Sequence, residues 1–263
     1  MEFTKMQGLG NDYLYFYEEV PENVAELAIR LSDRHFGAGS DGLIYICHSD
    51  VADFKMRIFN ADGSEAQMCG NGIRCVGKLV YEKGLTNQTI LTVETCSGVK
   101  PLQLHVTDGR VCSVSVLMGR AETQPERELL AGGRRVAYTP VSVGNPHAVV
   151  FVPDAETIPL GTLGPLIERH PDFPGGVNVE FVQILSEARL RMRVWERGSG
   201  VTLACGTGAC ACAAAAVRRG LCLPDVPITV MLDGGPLEIK VDAGGSIVMT
   251  GPAETVFEGE IAP

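Results

Sequence analysis

Two short stretches decide the fold, Cys69-Gly70-Asn71-Gly72 in the first half of the chain and Cys205-Gly206-Thr207-Gly208 in the second. Each follows a strand-like run and begins a run typical of a helix, Ile73–Val80 in one copy and Ala209–Val217 in the other. A thiol just before a helix lies near free backbone N–H groups and the positive end of the helix dipole, which lowers its pKa. The repeat therefore predicts two activated thiols, each beside amides that can bind an anion.

The composition predicts one large globular domain or two of modest size. The chain has 263 residues, of which 45% are hydrophobic, and its formal net charge is −10. This charge argues against a nucleic-acid partner, because phosphate binding needs a basic surface. No apolar run is long enough to cross a bilayer, and the N-terminus has no basic-then-apolar signal segment. We therefore expect a cytoplasmic protein without a membrane partner.

The cysteines do not follow a disulfide or zinc pattern. There are 9 of them, and an odd number in a chain of this size is not a disulfide framework. No Cys-x-x-Cys pair occurs, so no metal site is predicted. Most of these thiols are expected to be small buried hydrophobes.

Strand and helix patterns follow the same order in both halves of the chain. A first helix is expected from Pro21 or Asn23 to Arg34. The predicted strands are 2–6, Leu43–Cys47, Phe54–Asn60, Ile90–Thr95, Val99–Val106 and Val111–Met118, then Val136–Val143, Ala148–Val152, Val177–Leu185 and Arg189–Trp195. Residues 2–6 are expected at a sheet edge, and two hairpins are expected near the C-terminus. The thiol occupies the same point in each half, which indicates an internal duplication.

The two thiol-headed helices differ in composition. Ala209–Val217 carries no charged residue and its side chains are almost all small, so it is predicted to be buried inside a rolled-up sheet. The first helix contains Arg74, Lys78, Glu82 and Lys83, and it is expected to be less completely enclosed.

Two acid/base groups facing one carbon suit the inversion of a stereocentre. One thiolate removes the α-proton from one face while the opposite thiol delivers a proton to the other face. Helix N-termini directed at the substrate carboxylate would stabilise the charge that develops there. No lysine lies in a glycine- or serine-rich phosphate-binding stretch, so pyridoxal phosphate is not expected.

Motifs spread over nearly the whole chain agree with one known family. They are Gly8–Asp12, Asp33–Gly37, Arg57–Ser64, Cys69–Cys75, Gly144–Ala148, Gly176–Phe181, Glu196–Gly198 and Ala204–Cys210. On these motifs the sequence resembles the diaminopimelate epimerase family, cofactor-independent enzymes that use two cysteines. The resemblance implies an isomerase that interconverts LL-2,6-diaminopimelate and meso-2,6-diaminopimelate, in lysine and cell-wall precursor biosynthesis.

The resemblance also implies an α/β (α+β) architecture. Two pseudo-symmetric domains are expected, each a curved, mainly antiparallel sheet wrapped around a central helix, with the active site in the interdomain cleft. The first would span residues 1–118, with 252–263 returning to it, and the second residues 119–251. A homodimer with a small-molecule amino-acid substrate is expected, without cofactor or metal.

The site residues follow from the same resemblance, position by position. Cys69 is implied as the catalytic base for the D-configured face and Cys205 for the L face. The implied substrate-binding residues are Asn11, Asn60, Gly70, Asn71, Asn145, Asn178, Glu196, Arg197, Gly206 and Thr207. Of these, Arg197 would bind a distal carboxylate and Glu196 an ammonium group.

Two positions depart from the family's usual pattern. Gly42 stands where many members have glutamine, and Val201 stands where a glutamate is common. Neither departure alters the two cysteines. The two positions are therefore expected to change substrate affinity more than the type of reaction.

Other interpretations remain open from the residues alone. The cysteines could be buried structural thiols, or a redox pair that forms a functional disulfide. Gly206-Thr207-Gly208 begins like a dinucleotide fingerprint, although Asp225, the acidic residue about 20 residues further on, lies in a proline-rich turn before the next strand. His147 could be structural rather than a base, and Glu196 with Arg197 could be a surface ion pair. The protein could also be a non-catalytic amino-acid binder, or a racemase of the same fold for another amino acid.

Overall fold

The computed structural model describes residues 1–261 and divides into two compact units. The first unit comprises Met1–Val116 and the C-terminal segment that begins at Gly251. The second unit comprises Leu117–Thr250. The last two residues of the expected returning segment 252–263 lie outside the described residues.

The first unit is built on a mixed sheet. Its strands are β1 (Glu2–Gly8), β2 (Asn11–Phe16), β3 (Gly42–Cys47), β4 (Phe54–Asn60), β5 (Glu65–Ala66), β6 (Ile90–Thr95), β7 (Gly98–Thr107), β8 (Arg110–Arg120) and β19 (Glu254–Glu260), and its helices are α1 (Val24–Ser32) and α2 (Gly70–Glu82). Pairing runs β19–β1–β2–β3–β4–β6–β7–β8, with β5 beside β4. The β2–β3 and β4–β6 pairs are parallel, and the others are antiparallel.

The second unit has a sheet of similar design. Its strands are β9 (Glu122–Thr123), β10 (Arg127–Ala131), β11 (Arg134–Ser142), β12 (Pro146–Phe151), β13 (Asn178–Ser186), β14 (Arg189–Glu196), β15 (Gly200–Val201), β16 (Ile228–Leu232), β17 (Gly235–Val241) and β18 (Ser246–Gly251), and its helices are α3 (Leu160–Glu168) and α4 (Gly206–Arg218). Pairing runs β10–β11–β12–β13–β14–β16–β17–β18, with β9 beside β11 and β15 beside β14. The β12–β13 and β14–β16 pairs are parallel.

The two units repeat one connectivity. In each unit six successive strands pair in the order parallel, antiparallel, parallel, antiparallel, antiparallel. These strands are β2, β3, β4, β6, β7 and β8 in the first unit, and β12, β13, β14, β16, β17 and β18 in the second. Helices α1 and α3 each connect the first two of these strands. Helices α2 and α4 each precede the fourth strand, β6 in the first unit and β16 in the second. The predicted duplication of a mainly antiparallel α+β design is confirmed.

Each central helix is buried, including the one expected to be more exposed. Helix α4 packs against β11, β12, β13, β14, β16 and β17, as its small side chains predict. In α2, the prediction of partial exposure is wrong for the first two turns, because Gly70–Gly77 is entirely buried. Arg74 is 0% exposed, since its guanidinium satisfies backbone carbonyls rather than water.

The outer helices cover the other face of each sheet. Strand β3 is buried along its whole length, because Leu43 and Tyr45 pack with α1 while Ile44 lies against Gly72 of α2. Helix α1 ends at Ser32, two residues before the predicted end, since Asp33 leaves the helical conformation. Helix α3 was not predicted, because its sequence is rich in glycine and contains Pro165.

Most strand predictions are confirmed, with boundaries that differ by a few residues. The edge assignment of residues 2–6 is wrong, because β1 pairs with β2 on one side and β19 on the other. Strand β10 was also missed. Among residues 1–261, none of the helices combines the length and apolar character needed to cross a membrane.

Candidate functional site

Each of the two predicted thiols is the N-cap of its helix. Cys69 precedes α2, and its Sγ accepts a hydrogen bond from Gly72 N at 3.3 Å. Cys205 precedes α4, and its Sγ accepts from Gly208 N at the same distance, 3.3 Å. Both cysteines have extended backbone, as an N-cap requires. The sulfur atoms therefore take the place that a serine or aspartate oxygen usually has at a helix start.

The predicted carboxylate-binding residues form the first turns of these helices. Gly70 and Asn71 begin α2, and Gly206 and Thr207 begin α4. The first N–H groups of a helix have no partner within it and point along the axis toward its start. Each thiol is thus adjacent to backbone donors that can hold a carboxylate.

The polar neighbours of Cys69 are amides and a phenol. Cys69 Sγ donates to Asn11 Oδ1 at 3.2 Å, and Asn71 Nδ2 lies 3.5 Å from the same oxygen. Burial, followed by the nearby Cys69, raises the pKa of the Tyr13 hydroxyl well above its ordinary value. Tyr13 was not predicted as a site residue. Its phenol therefore stays protonated and can act as a donor beside the thiol.

The orientation of the Asn11 amide is fixed by Asp41. Asn11 Nδ2 donates to Asp41 Oδ2 at 2.8 Å, which leaves Asn11 Oδ1 directed at Cys69. Asp41 is itself held by Arg34, whose Nη2 lies 2.9 Å from Asp41 Oδ1. The side chain of Asp41 was not singled out from the sequence, although it directly precedes the unusual Gly42.

Asn60 and Gly42 lie opposite each other where β3 meets β4. Asn60 Nδ2 donates to Ser64 Oγ at 3.1 Å. Gly42 has a φ of +156°, and a Cβ placed there would lie 2.2 Å from Phe59 O. The backbone of this chain therefore accepts only glycine at position 42, and a glutamine there would require a different local conformation. Val201, the second departure, is exposed on β15.

The neighbours of Cys205 are acidic. Thr207 Oγ1 lies 3.6 Å from Cys205 Sγ, and the Glu196 carboxyl lies near the same thiol. Burial, followed by the charges of Glu196 and Glu180, raises the pKa of Cys205 well above its ordinary value. The expectation that the helix N-terminus gives a low pKa is therefore wrong for Cys205, because burial and two carboxylates outweigh the dipole.

Glu196 itself is largely enclosed. It accepts a hydrogen bond from Thr202 Oγ1, and burial raises the pKa of its carboxyl above the ordinary value. The Arg197 guanidinium is directed elsewhere and donates to Gly175 O at 3.2 Å. Within residues 1–261 these two side chains form no ion pair with each other, so the surface ion-pair interpretation is not supported.

Asn178 ties two loops of the second unit together. Its Oδ1 accepts from Arg197 N at 3.0 Å, and its Nδ2 donates to Pro146 O at 3.1 Å. Strand β13 begins at Asn178, opposite His147 of the parallel strand β12. The structure therefore brings Asn178 next to the backbone of Arg197, as the prediction of a shared site requires.

A hydrogen-bonded chain connects Asn145 to a buried acid. Asn145 Nδ2 lies 3.3 Å from Thr207 Oγ1, and Asn145 Oδ1 lies 3.0 Å from His147 Nε2. His147 Nδ1 lies 2.7 Å from Glu180 Oε1, and both side chains are 0% exposed. Glu180 was missed, although a lone acidic residue in the otherwise uncharged run 177–182 is a signal in the sequence.

No metal centre accompanies the thiols: in the described part of the chain, no group of three or more His, Cys, Asp or Glu side chains could hold a metal ion.

The chain matches the family model described as diaminopimelate epimerase over residues 3–124 and 139–256. It is 50% identical over 277 residues to the diaminopimelate epimerase of Acetivibrio thermocellus, covering 99% of this chain and 98% of that relative. The diaminopimelate epimerase of Bacillus subtilis is also 50% identical, over 275 residues, covering 98% of this chain and 97% of that protein.

The fold also resembles a solved structure of a more distant protein. A phenazine biosynthesis protein of the PhzF family from Bacillus anthracis superimposes with a TM-score of 0.78, over 100% of this chain and 99% of that one. The two share 17% sequence identity, so this similarity supports the fold alone.

Proposed function

The chain belongs to the diaminopimelate epimerase family, and we propose that it interconverts LL-2,6-diaminopimelate and meso-2,6-diaminopimelate by proton transfer at one α-carbon. The observation that carries the proposal is the pair of helix-capping thiols in equivalent positions of two similar units. Both thiols are held in the same geometry by an amide three residues ahead. A repeated acid/base group suits a reaction that exchanges a proton between two faces of one carbon.

In the proposed reaction Cys69 serves the D-configured face and Cys205 the L face. When a D centre reacts, the Cys69 thiolate takes the α-proton and the C–H electron pair remains on the substrate. The Cys205 thiol then gives its proton to the opposite face of that carbon. Cys69 ends as a thiol and Cys205 as a thiolate, so the protonation states must be exchanged before the next turnover in the same direction. The reverse reaction uses the same steps in the opposite order.

The carboxylate beside the reacting carbon must take up the negative charge. We assign this role to the backbone N–H groups of Gly70, Asn71, Gly206 and Thr207. These donors are already fixed at the starts of α2 and α4, so they need no reorganisation during the reaction. No electron-withdrawing cofactor is included in this mechanism.

The distal end of the substrate is also an amino acid, and we assign polar residues to it. The Arg197 guanidinium is exposed and can bind the distal carboxylate as a bidentate pair. Asn60 and Asn178 add amide donors, and Asn11 and Asn145 border the two thiols. Glu196 is assigned to a substrate ammonium, whose charge would favour ionisation of this enclosed carboxyl.

We also propose a cytoplasmic homodimer. The free thiols agree with a reducing compartment. Strand β19 exposes Val256 and Phe257, with 53% and 44% of their surface accessible, which supports this strand as part of a dimer contact. Sedimentation analysis of the protein and of Phe257→Glu tests this, since the variant should be monomeric.

The experiment that tests the function is incubation with LL-2,6-diaminopimelate in deuterium oxide. Stereochemistry and α-deuterium would be followed together in the unmodified protein, Cys69→Ala and Cys205→Ala. We expect meso product carrying deuterium at the inverted carbon, and a loss of about 10³-fold or more in each variant. Cys112→Ala, at an exposed cysteine on β8, is the matched control and should retain full activity.

Two results would contradict the proposal. Binding of the substrate without α-deuterium exchange would identify a non-catalytic binding protein. Full epimerase activity in either Cys69→Ala or Cys205→Ala would remove the two-base mechanism. Arg197→Met sharpens the substrate assignment, because KM for diaminopimelate should rise far more than kcat falls if Arg197 holds the distal carboxylate.

A further inference from the structure

Glu180 is a buried acid that the proposed reaction does not use. Its side chain is 0% exposed, and its Oε1 lies 2.7 Å from His147 Nδ1. Its second oxygen, Oε2, has no hydrogen-bond partner among residues 1–261. Burying a carboxylate with an unpaired oxygen is costly, and an apolar residue would pack in this strand at lower cost. This cost points to a role for the charge itself.

The carboxylate lies against the start of helix α4. A Cβ built on Gly208 would lie 2.8 Å from Glu180 Oε1 and 3.2 Å from Cys205 Sγ. The acid and the thiol therefore approach the same side of Gly208, and the absence of a side chain there allows both to do so. The N–H of Gly208 also donates to Cys205 Sγ, so this one residue contacts the thiol and borders the acid.

A hydrogen-bonded chain links Glu180 to Cys205 by a second route. His147 Nε2 lies 3.0 Å from the side-chain amide of Asn145, at Oδ1. Asn145 Nδ2 then donates to Thr207 Oγ1 at 3.3 Å. The Thr207 hydroxyl, having accepted this bond, is free to direct its own proton at Cys205 Sγ, 3.6 Å away.

We propose that Glu180 is a positioning residue for Cys205, whose buried carboxylate keeps this thiol protonated in the free enzyme and orients the chain of His147, Asn145 and Thr207 that reaches it. A negative charge beside a buried thiol disfavours the thiolate, because two like charges repel strongly where water is excluded. The charged and titratable groups that face Cys205 are Glu196 from β14, Glu180 from β13 and, through the chain, His147 from β12. Burial, followed by the charges of Glu196 and Glu180, raises the pKa of Cys205, and the hydrogen bond with Thr207 only partly opposes this shift.

The consequence is an enzyme whose two thiols are not equivalent before substrate binds. Cys205 is held as the proton donor, which prepares the free enzyme for a substrate whose proton leaves toward Cys69. This inference rests on the proposed function only in taking Cys205 as a reacting thiol. Its measurements use no substrate, so its failure and the failure of the proposed reaction are distinguishable.

The first measurement is a pH titration of the Cys205 thiolate by ultraviolet absorbance. The absorbance of the Cys205 thiolate is obtained by subtracting the titration of the Cys205→Ala variant from that of the protein with Cys205. This difference is measured once in the otherwise unmodified protein and once in Glu180→Gln. Glutamine keeps the size and an oxygen for His147 but removes the charge. We expect the thiolate fraction of Cys205 at about pH 9 to rise about tenfold in Glu180→Gln.

Two further variants separate the effect of the Glu180 charge from a general disturbance of the structure. Glu180→Asp keeps the charge and should restore a thiolate fraction close to that of the unmodified protein. Glu168→Gln is the matched control, because Glu168 is another buried carboxylate of the second unit, bound instead to Trp195 Nε1 and Gly198 N. It should leave the Cys205 titration unchanged. An unchanged titration in Glu180→Gln would overturn the proposal.

The second measurement needs no change at Glu180, so it stands even if Glu180→Gln does not fold. Nitrogen NMR of the imidazole of His147, assigned by comparison with His147→Gln, reports which ring nitrogens carry protons. A charged Glu180 requires a proton on His147 Nδ1, and this is the expected result. An unprotonated Nδ1 would mean that Glu180 carries the proton itself, is neutral, and cannot hold Cys205 protonated by charge.

Discussion

The start of α2 and the start of α4 share a backbone but not an electrostatic environment. Both helices contain 13 residues, both are capped by a cysteine in extended conformation, and both sulfurs accept an N–H three residues ahead. Around Cys69 lie the amides of Asn11 and Asn71 and the phenol of Tyr13. Around Cys205 lie two acids, the buried Glu180 and the partly buried Glu196.

The difference extends to the equivalent position within each helix. Five residues after Cys69, α2 carries Arg74, a fully buried guanidinium, whereas five residues after Cys205, α4 carries the small thiol of Cys210. Arg74 Nη2 donates to Asn71 Oδ1 at 3.0 Å and thereby orients an amide next to Cys69. A buried guanidinium thus stands near one thiol and two carboxyl groups near the other. The duplicated backbone places the thiols, and side chains from other strands make them different.

The largest expected effect in this comparison is on stability, at Arg74. Arg74→Met removes the guanidinium bonds to Gly70 O, Pro252 O and Asn71 Oδ1 in a buried setting. We expect the free energy of unfolding to fall by about 2–4 kcal/mol, because lost hydrogen bonds to a charged group cost more than neutral ones. The matched Cys210→Ala should cost only about 1 kcal/mol. Denaturant unfolding of both variants measures this, and equal losses would remove the contrast between the two helices.

A smaller effect is expected at the paired helix glycines. A Cβ at Gly208 would meet Glu180 Oε1 at 2.8 Å, whereas one at Gly72 would meet the flexible end of Ile44 at 2.6 Å. An apolar methyl can move aside, but a carboxylate held by His147 cannot do so without losing its partner. We expect Gly208→Ala to destabilise by about 1–3 kcal/mol and Gly72→Ala by less. Thermal unfolding tests the ranking, and the reverse order would show that the carboxylate is mobile.

The orientation of Asn11 should depend on Asp41. In Asp41→Asn the new amide can donate or accept, so Asn11 is free to rotate and turn Nδ2 toward Cys69. We expect kcat/KM for diaminopimelate to fall about tenfold, which corresponds to about 1.4 kcal/mol. Asp33→Asn is the control, because Asp33 caps the loop after α1 through His35 N and Phe36 N. Equal activity of both variants would show that Asn11 holds its orientation without Asp41.

The smallest effect concerns alkaline pH and Cys205. Its pKa is raised in the folded protein, so its contribution to stability is complete below the unfolded value, about 8.5, and is lost as the pH rises toward the folded pKa. In this range the folded state binds more protons than the unfolded state, so stability falls. We expect the difference in unfolding free energy between the unmodified protein and Cys205→Ala to decrease by about 1 kcal/mol per pH unit above pH 9. A flat difference would contradict the raised pKa.

Much of the architecture was accessible from the sequence because it is local. Local patterns predict local structure in several places. The alternation in Phe54–Asn60 predicts a strand, the glycines predict turns, and the charge-free run of α4 predicts a buried helix. The failures have physical reasons as well. Helix α3 contains Pro165 and glycines, which have low helix propensity. The helix forms nevertheless, because its apolar face packs against β13 and β14. Arg74 looked like a surface residue, because its partners Gly70 O and Pro252 O are backbone groups that no side-chain pattern reveals.

For the candidate site, the sequence by itself determined which atoms cap the helices. Cys69 and Cys205 each precede a glycine-rich helix start. Because a helix start always leaves N–H groups free, each thiol lies next to an anion-binding site. Only the tertiary structure decided the environment of each thiol. Asn11, Asp41, Glu180 and His147 reach these caps from strands and loops that are distant in the chain. Burial and charge act through space, and a pKa depends on that surrounding rather than on neighbours in sequence.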